Sequence, residues 1–252
     1  MNKTILVTGA TAGFGKAIAI EFAKNGFNVI ITGRRKERLS ELETELLTTG
    51  QGKVLSLNFD VRKLDEVKTA IDNLPQEWRK IDILVNNAGL AAGLEHINHG
   101  NIDDWERMID TNLKGLLYMT RTIAPLMTES NSGHIINIGS IAGKEPYENG
   151  NVYCATKAAV KSLSKSMRID LLKHNIKVTC IEPGMAETEF SLVRFHGNAE
   201  RAGSVYKGID TLTGDDIAQI VYWCATLPPH VCINELEVTP TQQASVIYNY
   251  RK

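Results

Sequence analysis

The sequence has few cysteines and no grouping of them. Cys154, Cys180, Cys224 and Cys232 are scattered through 252 residues, with no C-x-x-C pair and no histidine nearby at metal-ligand spacing. That pattern excludes a zinc motif and a dithiol redox pair, and it predicts buried, reduced thiols in a cytoplasmic protein. Long apolar runs are also missing. No stretch approaches the roughly 18 uninterrupted apolar residues of a membrane span, and Ile5-Leu6-Val7 is far shorter than a signal-peptide core. Charge of one sign is not in excess either: 28 basic residues face 29 acidic ones, a formal net charge of -1. No global field draws the chain to nucleic acid or to an anionic membrane. There is no Pro/Ser-rich linker, no break in composition and no repeat with a period of roughly 20 to 50 residues. These absences predict one soluble domain over residues 1-252, without a nucleic-acid or membrane partner; its hydrophobic content of 43% is enough for one large core.

What the sequence does contain is a βαβ rhythm. Apolar segments at 3-8, 27-32, 53-58, 81-85, 133-139, 176-182 and 235-239 read as strands. Helical segments at about 14-25, 36-48, 63-74, 103-128 and 153-173 lie between them. Such alternation predicts an α/β fold of the Rossmann type, a doubly wound, mostly parallel seven-stranded sheet with helices on both faces. The least regular stretch, 186-208, is polar and long for a connection. It is expected to be a substrate lid, with a surface insertion as the alternative.

The first strand runs directly into Thr8-Gly9-Ala10-Thr11-Ala12-Gly13-Phe14-Gly15 and then a helix. Gly9 permits a tight turn, Gly13 clears the backbone for a pyrophosphate, and Gly15 lets the helix approach the sheet. The free N-H groups of the helix N-terminus then face the phosphates. The end of the second strand, Thr32-Gly33-Arg34-Arg35, carries no acid for a ribose 2'-hydroxyl. An arginine there suits a 2'-phosphate instead, so Arg34 and Arg35 predict NADP(H). The competing reading is two solvated charges opening a helix.

The loop TGATAGFG resembles the TGxxxGxG fingerprint of the short-chain dehydrogenase/reductase family. The resemblance extends along essentially the whole chain, through Asn86-Asn87-Ala88-Gly89, Asn112, Ser140, Tyr153-Cys154-Ala155-Thr156-Lys157 and Pro183-Gly184 in order. It implies that Thr11, Phe14, Asn87, Ala88, Gly89, Pro183, Gly184 and Thr188 contact the cofactor, and that Asp60 and Val61 contact the adenine. Asp60 reads equally well as a cap for the segment beginning at Arg62. For the chemistry, the resemblance implies Tyr153 as the acid/base, Lys157 beside it and on the nicotinamide ribose, Ser140 on the substrate oxygen, and Asn112 linking the lysine to solvent. Physically, Tyr153 and Lys157 lie four apart and share a helix face. A free tyrosine has a pKa of about 10, and the positive charges of Lys157 and the oxidised nicotinamide are expected to favour tyrosinate.

Within the family, TGRRKERLSEL, TEFSLVRF and TLPPHVCINELEVTP are most similar to the NADP-dependent 3-hydroxy acid dehydrogenases. This implies a small 3-hydroxy acid such as serine or allo-threonine as substrate, and a homotetramer. A carboxylate beside the reacting alcohol needs a cation, and Arg194 in the lid is the candidate. Its competing reading is a surface arginine paired with Glu189 or solvent. Alternatives for the whole chain are a carbonyl reductase of a bulkier ketone or acyl substrate, and a non-catalytic NADP(H)-binding protein.

Overall fold

The computed structural model describes residues 2-252. Seven strands, β1 (Thr4–Val7), β2 (Asn28–Gly33), β3 (Val54–Asn58), β4 (Ile83–Asn86), β5 (Gly133–Ile138), β6 (Ile176–Pro183) and β7 (Glu235–Val238), form one sheet in the order β3-β2-β1-β4-β5-β6-β7. Every pairing is parallel, for example Ile5 with Val29 on one side and with Ile83 on the other. The expected sheet is therefore present, and it is wholly parallel.

The helices are α1 (Gly13–Lys24), α2 (Lys36–Thr49), α3 (Leu64–Asp72), α4 (Ile102–Ile109), α5 (Leu116–Glu129), α6 (Asn151–Asp170), α7 (Phe190–Arg194), α8 (Ala199–Ser204) and α9 (Gly214–Thr226). Side chains alternate across a strand, which sorts the core into two layers. Ile5, Val7, Ile31, Val85 and Ile136 pack against α1, α2 and α9 through residues such as Phe22, Leu39 and Val221. Leu6, Ile30, Leu84, Ile135 and Val178 point the other way, toward Val67, Met119, Ile123 and Val160 of α3, α5 and α6. Both faces of the sheet are covered, and this is why its strands read as continuous apolar runs.

Connectivity reverses between β1 and β4, which places a crevice at the carboxyl edge of the sheet. Two local features shape it. The expected helix over 103-128 is interrupted by a π turn at Asp110–Gly115, which separates α4 from α5. Such turns insert an extra residue and re-aim the side chains beside it. The stretch 186-208, expected to be irregular, holds α7 and α8. Of the four cysteines, Cys154, Cys180 and Cys224 are buried as expected, whereas Cys232 is only half-buried.

Candidate active site

A cleft of about 690 Å³ runs along the carboxyl edge, from Arg34 and Asp60 past the glycine loop to Tyr153, Pro183 and Arg194. Its volume suits a dinucleotide-sized ligand with a small co-substrate. Gly9 and Gly13 line it with φ of +66° and +51°, a left-handed backbone that a side chain would strain. Thr188 lies across the loop, about 3.5 Å from the space a Gly13 Cβ would take. This is a cradle with room for phosphates, closed on its far side by residue 188.

Gly15 does not line the cleft. A Cβ at Gly15 would lie 2.5 Å from the Gly9 carbonyl oxygen and would strike the Asn87 amide. That amide donates to the carbonyls of Thr8 (2.8 Å) and Gly9 (3.2 Å). Gly15 thus serves the cofactor loop through its packing on Asn87 and Gly9. The backbone N-H groups of Asn87 and Ala88 donate to Thr8 Oγ1, tying the Asn87-Ala88-Gly89 segment to the loop.

At the adenosine end, Arg34 and Arg35 both face the cleft. Arg34 lies 3.7 Å from Asp60, and its side chain is half-exposed. Arg35 donates twice to Thr11 Oγ1 (3.1 and 2.8 Å) and pairs with Glu189 at 3.1 Å. Asp60 accepts from the Arg62 amide at 3.0 Å and from its guanidinium. Burial opposes ionisation of Asp60, but the Arg62 hydrogen bonds and the charges of Arg34 and Arg62 outweigh it and hold the carboxyl below its usual range. Helix α3 begins only at Leu64 with Lys63 at its N-cap, so Asp60 stabilises the turn before the helix and does not cap it. Val61 lines the cleft and packs on Gly115 of the π turn.

At the other end, Tyr153 and Lys157 emerge from the first two turns of α6. Lys157 Nζ donates to the Ile138 carbonyl at 2.8 Å and stands 5.9 Å from the Tyr153 ring centroid. Burial pulls the lysine down to about 8. Ser140, two residues past β5, accepts from the Ala142 amide and reaches the Pro183 carbonyl at 3.4 Å. The π turn directs Asn112 inward. Its Oδ1 accepts from the Leu90 amide at 2.8 Å, and its Nδ2 donates to the Leu90 carbonyl at 2.9 Å and to Thr156 Oγ1 at 3.0 Å. It lies behind the cleft wall, where a Cβ on Gly89 would come within 3.3 Å of its Oδ1 and 3.6 Å of Lys157 Nζ.

The expected lowering of Tyr153 includes the charge of the oxidised nicotinamide; among the protein groups alone the balance favours the protonated phenol. Burial and the neighbouring Tyr147 phenol push its pKa up, and the charge of Arg194 and the hydrogen bond with Ser140 offset this only in part. The guanidinium carbon of Arg194 sits 5.1 Å from the Tyr153 ring centroid. Arg194 also lies 5.2 Å from the Phe190 ring and donates to the Tyr147 hydroxyl at 2.5 Å. Its Nε is buried without a partner among the described residues. Glu189 pairs with Arg35 and Arg38 and leaves Arg194 to the cleft.

Several cleft residues escaped the sequence reading: Tyr147, Phe190, Glu189, Gln243 and Asn249. No spacing in the sequence marks them, because they reach the cleft from a loop, the 186-208 segment and the chain after β7. Among the described residues no group of histidine, cysteine or carboxylate side chains is placed to hold a metal ion, and no helix is long and apolar enough to cross a membrane.

The chain matches the short chain dehydrogenase family over residues 3–197. It is 54% identical over 241 residues to the NADP-dependent 3-hydroxy acid dehydrogenase YdfG of Salmonella typhi, covering 95% of this chain and 96% of that one. Identity to the serine 3-dehydrogenase of Rhizobium radiobacter is 46% over 244 residues, 97% of this chain and 96% of that one. Among solved structures, the closed form of serine dehydrogenase complexed with NADP+ matches with a TM-score of 0.92 at 50% identity, covering 99% of each chain. With a wholly parallel Rossmann-type sheet, a glycine-loop cradle and a Tyr-Lys pair at its carboxyl edge, the chain belongs to the short-chain dehydrogenase family.

Proposed function

We propose that this protein is an NADP(H)-dependent dehydrogenase of small 3-hydroxy acids, serine and allo-threonine among them. One observation carries the substrate class: Arg194, over the Tyr153 ring, lines the cleft with a guanidinium that makes one hydrogen bond, to Tyr147, and no ion pair among the described residues. A half-buried, half-satisfied cation invites an anion, and a fork of N-H donors matches a carboxylate. The names of the relatives in Salmonella typhi and Rhizobium radiobacter support the same reading.

The residues fit NADP(H): Gly9, Thr11, Gly13, Phe14, Asn87, Ala88, Gly89, Pro183, Gly184 and Thr188 would hold its phosphates and nicotinamide half, with Arg34 and Arg35 on the 2'-phosphate and Asp60 and Val61 on the adenine. When bound, NADP(H) accepts or supplies the hydride. Burial keeps Tyr153 protonated, the form that donates a proton to the substrate oxygen in reduction. For oxidation the phenolate must take the hydroxyl proton, and the charges of Lys157 and Arg194 favour that form. Ser140 orients the substrate oxygen. Asn112 holds the Leu90 backbone and Thr156, and so keeps the wall behind Lys157 in place. The whole chain acts as one domain, with 186-208 as the substrate lid.

The same reading includes a cytoplasmic homotetramer. Leu117 on α5, Ile169 at the end of α6 and Leu172 just beyond it are exposed apolar side chains that a partner subunit would cover, and sedimentation will report the oligomeric state.

The test is turnover of L-serine, L-allo-threonine, 3-hydroxyisobutyrate and 3-hydroxypropionate with NADP+ and with NAD+, against a panel of bulky ketones with NADPH. The hydroxy acids should be oxidised with NADP+ preferred, and Tyr153→Phe should abolish turnover. Activity confined to the ketones, or turnover that survives in Tyr153→Phe, refutes the reading.

A further inference from the structure

Helix α7 carries Arg194 as its last residue but is only five residues long, too short to hold its shape alone. The place of the Arg194 guanidinium over Tyr153 is therefore set by what grips the two ends of the helix. At its start, Thr188 Oγ1 accepts from the Phe190 amide at 3.2 Å, and Glu189 is paired with Arg35 and Arg38. Beyond its end the chain turns sharply, with φ of +52° at His196 and +90° at Gly197. A left-handed backbone is uncommon for a residue with a ring, and it persists where other contacts hold it.

Three residues outside the cleft supply those contacts. The Gly93 amide, in the loop after β4, donates to the Arg194 carbonyl at 3.1 Å. His196 Nε2 donates to Asp104 Oδ2 at 3.1 Å. Asp104 lies on α4 with its side chain only 11% exposed, and among the described residues His196 is the one side chain that pairs with it. Gly93 is left-handed as well (φ +68°), and a Cβ there would come within 3.1 Å of Asp104 Oδ2. The carboxylate that holds His196 and the amide that holds Arg194 are thus packed against each other, at a position where backbone and space both call for glycine. One turn further along α4, Met108 belongs to the same apolar cluster as Tyr153, with Phe190 and Val193 of α7 packed against it. Helix α4 therefore supports both the acid/base and the arginine opposite it.

We propose that Asp104 and His196, with the Gly93 amide, form a clamp that positions Arg194 for the substrate carboxylate and so sets the affinity for 3-hydroxy acids from outside the cleft. This rests on the hydroxy-acid reading of the site. Asp104 and His196 are positioning residues, acting through Arg194. A partly exposed charged pair of this kind can change affinity about fivefold.

The measurement is KM and kcat for 3-hydroxypropionate and for its methyl ester, which has no carboxylate. His196→Asn suits the left-handed backbone but falls short of Asp104, and Asp104→Ala removes the acceptor. Each should raise KM for the acid about fivefold, while kcat for the acid and both constants for the ester stay near wild type. The double variant should match either single one, because a pair is broken only once. Should Asp104→Ala misfold, His196→Asn decides alone. An unchanged KM for the acid in His196→Asn overturns the clamp, and so does an equal rise for acid and ester, the mark of a lid merely loosened. Multiplied effects in the double variant, about 25-fold, overturn the pairing. Arg194→Met, measured in the same way, keeps the two readings apart. A loss confined to the acid in Arg194→Met but absent in His196→Asn removes the clamp alone; no acid-specific loss in Arg194→Met removes the substrate reading and the clamp together.

Discussion

Replacing Arg194 by methionine keeps an unbranched, apolar side chain over Tyr153 and Phe190 and removes only the fork. In the structure the guanidinium has one hydrogen bond, to Tyr147, and lies between 5.1 and 5.7 Å from three aromatic rings. A substrate carboxylate in the cleft would gain a charge-assisted bond from the guanidinium. Such bonds are worth about 1.5-3 kcal/mol, or roughly 10- to 150-fold in kcat/KM at about 1.4 kcal/mol per decade. Arg194→Met should therefore cost a 3-hydroxy acid that factor, mostly in KM, and its methyl ester no more than about threefold, since the ester never made the bond. Arg194→Lys should fall between the two, keeping the charge without the planar geometry. A second consequence concerns proton transfer. The positive charge of Arg194 opposes the upward shift of both Tyr147 and Tyr153, so its loss should move the acid limb of the oxidation profile, where the phenolate base is lost, to higher pH. Steady-state kinetics on the acid and ester pair from pH 6 to 11 reads both effects. Equal losses for acid and ester, with an unmoved pH profile, would remove Arg194 from the substrate site.

Three other predictions test different parts of the molecule. Glu189→Gln should raise the ratio of NADP+ to NAD+ affinity several-fold in a fluorescence titration, because it frees Arg35 and Arg38 from their carboxylate partner; a loosened lid would weaken both cofactors alike and leave the ratio unchanged. Gly15→Ala forces a methyl against the Gly9 carbonyl and the Asn87 amide, an overpacking cost of about 1-3 kcal/mol that should lower Tm by roughly 3-10 °C and weaken NADP+ binding; a variant with wild-type Tm and affinity refutes the packing argument. His134 is buried, and its pKa is driven down to about 3 by burial first and by the charge of Lys177 second. The unfolded chain takes up this proton near pH 6.5 and the folded one does not, so stability should fall as pH drops from 6.5 toward 3 and be fully retained above pH 6.5. The contribution is on the order of 1 kcal/mol per pH unit, and His134→Gln should flatten that slope in urea titrations.

Legibility in the sequence followed how far apart along the chain the interacting residues lie. Buried parallel strands must be apolar on both faces, and a phosphate turn must put its glycines between a strand and a helix, so both are written in contiguous residues. The wholly parallel order also follows, because each strand is separated from the next by a crossover. The π turn at Asp110–Gly115 leaves no such mark: the helical period simply runs through Asp-Thr-Asn-Leu-Lys-Gly. Its cost is offset by bonds to Leu90 and to Thr156, 44 positions downstream of Asn112, and a local pattern cannot show them. The same holds for Arg35 with Glu189, 154 positions apart, and for Val246 with Glu145, 101 apart. Tyr153 is the sharpest case. Its helix position is evident from Lys157 four residues on, yet among the protein groups its pKa is governed by burial, by Tyr147 on a loop and by Arg194 on α7. Position along a helix is a local property. Acidity belongs to the assembled cleft, and the residues that set it here, Tyr147 and Arg194, arrive from a loop and from a segment that sequence periodicity left without structure.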